Sequence, residues 1–210
     1  EHIITCNFFD FIPDTNLKYI VIGNPPFGRQ SNKAIKFFQH ASTFADVIAF
    51  ILPRTFNKIS IQNKLNLQFH LLHSEILPLK PCCFTPKMSA KCVFQIWIKK
   101  NTFRTPITFA NKHNDFSFLK YGPKDIKNQP TAPIGADFAM KAYGSNCGVL
   151  FFENLNSLRP KSYHWIKSNI NTELLIHRFN QLDYSISLDT VRQNSLCQKE
   201  LIYLYSNSFD

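Results

Sequence analysis

The residues with the clearest chemical use are Asn24, Pro25, Pro26 and Phe27, followed by Gly28. An exocyclic amino group on adenine or cytosine is a poor nucleophile, because its lone pair is delocalised into the ring. Two hydrogen-bond acceptors aimed at its hydrogens favour a more tetrahedral and more reactive nitrogen. The Asn24 side-chain oxygen is one candidate acceptor and the Pro25 carbonyl the other. Consecutive prolines restrict the backbone, so these dipoles stay aimed without a reorganisation cost. Phe27 offers a flat face for an unstacked base, and such stacking contributes about 1–3 kcal/mol. The plain structural alternative is a stiff turn after a strand, since Asn and Pro are common turn residues.

The flanking elements decide between these readings. Tyr19–Gly23 is a short apolar, β-branched run, expected to be a strand buried on both faces of a parallel sheet. Ser31–Phe44 has Ala34, Ile35, Phe37, Phe38, Ala41 and Phe44 at helical spacing, with Ser31 as the expected N-cap. Residues 46–52 are a second buried strand, stopped by Pro53, and Ser60 opens a short helix carrying Ile61, Leu65 and Leu67. Residues 75–79 and 91–99 are two further strands joined by a link without a helix, which implies an antiparallel hairpin at the sheet edge. The order is that of an α/β fold, in which ligands sit at the carboxyl ends of the strands, where Asn24 lies. Residues 1–100 are therefore expected to form the larger core. Residues 101–210, broken up by Pro and Gly, are expected to form a smaller mixed α/β appendage with helices near 161–170 and 172–182.

The 210 residues carry 24 Lys and Arg against 14 Asp and Glu, a formal charge of +10 with pI ≈ 9.4. With 21 Phe, 7 Tyr and 2 Trp the chain can build a core, which excludes a disordered basic tail. No apolar run reaches the roughly 18–20 residues of a membrane helix. The charge points to a polyanionic partner, nucleic acid first. Arg29, Lys33 and Lys36 follow the Asn24 loop, while Arg54 and Lys58 follow the second strand. All five belong to the same sheet edge, where phosphate contacts would position a strand while a base swings out. The appendage interleaves further basic and aromatic residues, as target recognition or plain packing would. The six cysteines have neither a disulfide-framework nor a zinc spacing, so no metal is expected, and reduced thiols fit a cytoplasmic or nuclear setting.

The run Val21-Ile22-Gly23-Asn24-Pro25-Pro26-Phe27-Gly28 resembles the catalytic loop of the S-adenosylmethionine-dependent methyltransferases that modify adenine N6 or cytosine N4. The resemblance covers about the first hundred residues and implies a Rossmann-like sheet ending in a hairpin. It implies that Asn24 and Pro25 hold the amino group, that Pro26 stiffens the loop and that Phe27 stacks the base. The Phe ending and the strand order favour adenine N6, in DNA before RNA. In the family, an acidic residue and an apolar neighbour ahead of this strand hold the adenine of S-adenosylmethionine, and Asp10 and Phe11 match those roles.

The chain departs from the family in one respect. A glycine-rich cofactor loop and an acidic ribose-binding residue are absent, and Tyr143–Gly148 reads as a turn rather than a substitute. The first residue is Glu1, in what reads as mid-strand, so the missing elements are expected upstream or on a partner subunit. Two alternatives follow. One is a catalytically incomplete, methyltransferase-like subunit that binds nucleic acid or a catalytic partner. The other is methylation of a protein glutamine, whose amide nitrogen is chemically similar.

Overall fold

The structure is a computed structural model and describes residues 3–210. The chain is mixed α/β and forms two compact units, the division falling between Ile107 and Thr108 in sequence. That places the division seven residues later than the expected boundary at residue 100. The two units are of similar length, so the second is no small appendage.

The first unit contains β1 (Tyr19–Gly23), α1 (Asn32–Ala41), β2 (Ala45–Pro53), the single-turn α2 (Ile59–Gln62), β3 (Phe69–Ile76) and β4 (Cys92–Lys99). The four strands form one sheet in the order β1-β2-β4-β3. β1 and β2 are parallel, as a strand–helix–strand unit requires, while β4 runs antiparallel to both β2 and β3. The expected hairpin at the edge is therefore present. β3 begins at Phe69 rather than Glu75, because its first half pairs with the far end of β4.

One face of this sheet carries the core. Ala34, Ile35, Phe38 and Ala41 of α1 pack on Ile48, Phe50, Leu52, Val93 and Trp97. Phe38 meets Trp97 edge-on at 5.5 Å and Phe69 at 5.8 Å, geometries that aromatic pairs prefer. A fully buried Gln95 within this face is satisfied at both ends. Its Nε2 donates to Asn57 Oδ1 at 2.9 Å and its Oε1 accepts from Trp97 Nε1 at 3.0 Å. That network pins the segment after β2 onto β4.

The expectation that β1 is buried on both faces does not hold. Strand register puts Ile20, Ile22, Val47, Ala49, Ile96 and Ile98 on the sheet face opposite α1. Ile20 is 67% exposed and Ile22 is 75% exposed. The physical reason is position: β1 is an edge strand, and the unit's helical packing is all on the other side. β1 thus has the apolar, β-branched composition of an interior parallel strand while standing at the sheet edge.

The second unit contains β5 (Phe116–Phe118), β6 (Phe138–Lys141), β7 (Leu150–Phe151), β8 (Tyr163–Ser168), α3 (Thr172–Gln181) and α4 (Gln198–Phe209). Its sheet is antiparallel with order β5-β8-β6-β7. The helix expected over 161–170 is thus a central strand. Trp165 and Ile166 are buried on opposite faces, in two different clusters, and this consecutive pair hides the alternation that normally marks a strand. α4 starts with a reciprocal cap in which the Cys197 amide donates to Glu200 at 2.9 Å. Leu201, Ile202 and Tyr205 bring α4 onto the sheet beside Leu175 and Phe179 of α3. Tyr205 and Arg178 both donate to Asp115 Oδ2, each at 2.6 Å, which locks β5 to the two helices. Among the described residues, no helix is long and apolar enough to cross a membrane.

Candidate functional site

The loop after β1 is held at alternate residues. Pro25 is buried and Phe27 half-buried, whereas Asn24 and Pro26 are exposed. The Phe27 carbonyl accepts from the Ala34 amide at 3.4 Å, which ties the loop to the first turn of α1. Asn24 therefore presents its amide to solvent from an anchored backbone, the arrangement needed for an acceptor that must not move.

Gly28 has φ 68° and ψ 178°, a conformation close to glycine-only. A Cβ here would lie 2.7 Å from Lys33 Cγ and 3.0 Å from the Lys33 backbone nitrogen. Gln30 and Ser31 follow with φ of 52° and 63°, both in the left-handed region. Two non-glycine residues in this region carry a local cost of about 1–3 kcal/mol each, on the loop that leads from Asn24 into α1. Strain of this kind persists where surrounding contacts over-determine the backbone. One of those contacts is evident: Ser31 is 2% exposed and its hydroxyl lies 2.7 Å from Thr55 Oγ1. This corrects the expected N-cap role. With a left-handed backbone, the Ser31 side chain makes no capping bond to α1 and instead joins the loop after β1 to the loop after β2.

The second loop is joined in turn to a third. The Arg54 amide donates to the Lys91 carbonyl at 3.0 Å, and Pro53 pairs with Cys92. Because β4 starts where β2 ends, and β3 ends opposite Val93, residues 24–31, 54–58 and 77–91 gather along one edge of the sheet. Of the third segment, sequence reasoning named only Lys80, Lys87 and Lys91, as cations that widen the basic surface, and not a cleft. The segment encloses a cleft of about 720 Å³ lined by residues of 79–82 and 87–89. Besides these lysines, its sequence signal is the pair Pro81 and Pro86 in a link without a helix. Burial pushes the neighbouring Cys92 thiol up to about 11, so this cysteine is a core group rather than a nucleophile.

The charge is distributed unevenly. The first unit has 13 Lys and Arg against 5 Asp and Glu, a net +8, and the second has 11 against 9, a net +2. Arg29, Lys33 and Lys36 are exposed, while Arg54 and Lys58 are half-buried. Lys33 and Lys36 lie on the face of α1 away from Ala34, Ile35 and Phe38. With exposed Lys80 and Lys87 they line the edge that carries Asn24. Asp10, Asp14 and Asp46 belong toward the other end of the unit. Glu75, near the end of β3, is the one described acid toward the Asn24 edge, so a polyanion approaching there meets mainly cations.

The structure does not bring Asp10 and Phe11 to this edge. The Phe11 ring packs on Tyr19 at 5.9 Å and Phe44 at 5.5 Å, beside the first residue of β1 and the start of β2. Tyr19 and Asn24 stand at opposite ends of β1, roughly 17 Å apart at the rise of a strand. The cause is aromatic packing: Phe8 stacks on Phe37 at 5.2 Å, and the rings of Phe8 and Phe9 also meet His40, which holds the whole 8–11 segment along α1. The described residues thus assemble no site that fits S-adenosylmethionine. The candidate adenine-binding pair is apart from the loop, and Gly144 and Gly148 serve turns of the second unit. Comparison of the chain with protein-family models, with curated proteins and with solved structures finds no match to any of the three.

Proposed function

We propose that the first unit is the target-holding part of a Rossmann-like amino-group methyltransferase acting on nucleic acid, with adenine N6 in DNA as the preferred target and RNA as the next. The observation that carries this reading is the exposed Asn24 on a strained, doubly anchored loop at the carboxyl end of β1, within a strongly basic edge. The chain's residues have defined tasks in it. Asn24 Oδ1 and the Pro25 carbonyl accept the two amino hydrogens, and Phe27 lies under the base. Arg29, Lys33, Lys36, Arg54 and Lys58 contact phosphates. Because the nitrogen loses a proton as it gains a substituent, the exposed loop lets that proton pass to water.

The methyl donor has to be held by polypeptide outside the described residues. The free edge of β1 and the apolar face bearing Ile20 and Ile22 are where a parallel strand and its helix would add, from this chain or a partner. By itself the chain is therefore the incomplete subunit of the two alternatives, with its target side intact. The net +8 of the first unit supports nucleic acid over a protein glutamine.

The salt dependence of binding tests the nucleic-acid part of this reading. Anisotropy of a labelled single-stranded oligonucleotide should show log K falling linearly with log salt. Arg29→Gln with Lys33→Gln should flatten the slope by about 1.4, the value for two lost phosphate contacts on a single strand. An unchanged slope would remove these residues from the interface.

A further inference from the structure

The second unit contains a cleft of about 740 Å³, within the range of small-ligand sites and remote in sequence from the Asn24 loop. Three segments build it: Phe118–Tyr121 at the end of β5, Tyr163–Trp165 on β8, and Cys197–Lys199 at the start of α4. We propose that this cleft binds one unstacked nucleotide of a single-stranded nucleic acid, with its base between the tyrosines and its flanking phosphates at the two lysines. The proposal extends the nucleic-acid reading above to a second site.

Three features of the cleft support this occupant over others. First, its aromatic walls are held in place: Tyr163 packs against Phe151 at 5.3 Å and Trp165 at 6.2 Å, and Trp165 is itself buried with its indole nitrogen donating to the Pro160 carbonyl. Tyr121, 47% exposed, is the ring left open to a ligand. Fixed aromatic walls and an open ring lining one cleft make a stacking platform, and its tolerance of any base follows from the π-face that all bases share. Second, the lining contains Lys120 and Lys199, both exposed, and no carboxylate. Glu200, the nearest acid in sequence, is 3% exposed and spent on the Cys197 amide. This local excess stands out in a unit whose net charge is only +2. Lys124 and Lys127 continue it along the adjoining turn, where Asp125 is occupied by the amides of Lys127 and Gln129. Third, polar groups for a base edge are present. Gln198 offers an amide donor and acceptor at the mouth. His164 is half-buried, its Nε2 lies 2.8 Å from the Leu196 carbonyl, and burial holds its pKa below the ordinary histidine value. An acidic peptide would find the lysines but little use for the aromatic lining, and an apolar ligand would find the lysines in its way.

The test uses the full chain and a fluorescein-labelled single-stranded 15-mer of mixed sequence, read by anisotropy. Tyr121→Ala should weaken binding at least fivefold, and Lys120→Gln with Lys199→Gln should flatten the salt slope by about 1.4. These side chains are exposed, and an unchanged thermal midpoint in both variants checks that the fold is kept. Independently, a 5-iodouracil oligonucleotide irradiated with the wild-type chain should cross-link within 118–121, 163–165 or 197–199. Affinity within twofold of wild type in both variants, with cross-links confined to residues 1–107, overturns the proposal. That outcome leaves the Asn24 site standing, because its own variants are read separately. Failure of the Asn24-site variants, with cross-links retained in the cleft, would do the reverse.

Discussion

S-adenosylmethionine titrated into the 210-residue chain is expected to bind with Kd weaker than about 1 mM, that is, with less than about 4 kcal/mol. The expectation rests on geometry rather than on the resemblance. A cofactor carrying adenine, ribose and an amino acid needs convergent polar groups, and the structure separates the residues that could supply them. Phe11 is locked against Tyr19 and Phe44, at the far end of β1 from Asn24. On the remaining free side, β1 offers only the exposed Ile20 and Ile22, which carry no group for a ribose or a carboxylate. Micromolar binding by calorimetry would mean that the described residues rearrange into a pocket absent from the structure. The division of labour between this chain and a cofactor-holding segment would then be wrong.

Phe27→Ala is expected to weaken binding of an oligonucleotide with a single unpaired adenine by roughly 5- to 150-fold, the equivalent of about 1–3 kcal/mol for one base–aromatic stack. The effect should be independent of salt, in contrast to the losses produced at Arg29 and Lys33, because stacking neutralises no phosphate. Phe27 is half-buried, so part of any loss could come from the loop itself. Its backbone anchor to Ala34 does not depend on the ring, and a thermal midpoint close to wild type separates the two causes. A loss that disappears at high salt, or no loss at all, would show that the ring is a packing residue.

How much of this was legible in the sequence differs by element. The strand–loop–helix around Asn24 was readable because each of its signals is local. A β-branched run, two prolines and a 3.6-residue apolar period need no distant information. The hairpin of β3 and β4 was readable from the short link between them, although the start of β3 was not, since it is fixed by pairing with β4. Local signals misled at Tyr163–Ser168, where Trp165 and Ile166 are buried on both faces of a central strand. α4 was not anticipated at all: Ile202, Tyr203 and Tyr205 are poor helix formers, and its apolar face is specified by contact with α3 and the sheet.

The site shows the same division. The place of Asn24 at the end of β1 and the shared edge of Arg29 and Arg54 followed from strand ends, whereas the burial of Pro25 did not. The Ser31–Thr55 and Gln95–Asn57 bonds, 24 and 38 residues apart, follow from no spacing rule. Nor does the placement of Asp10 and Phe11, which was decided by the neighbouring phenylalanines. The basic edge around Arg29, Lys33, Lys36, Arg54 and Lys58 was legible, and the unit boundary adds that the basic excess belongs to the first unit rather than to the second.

The most direct test of the account is whether Asn24 recognises an amino group. The measurement compares two oligonucleotides that differ only at one unpaired position, adenine in one and purine, which lacks the 6-amino group, in the other. The wild-type chain should prefer adenine by roughly 2- to 12-fold for each neutral hydrogen bond to the amino group, and Asn24→Ala should lose the Asn24 share and keep only what the Pro25 carbonyl contributes. A preference undiminished in Asn24→Ala, or none in the wild-type chain, would contradict the account.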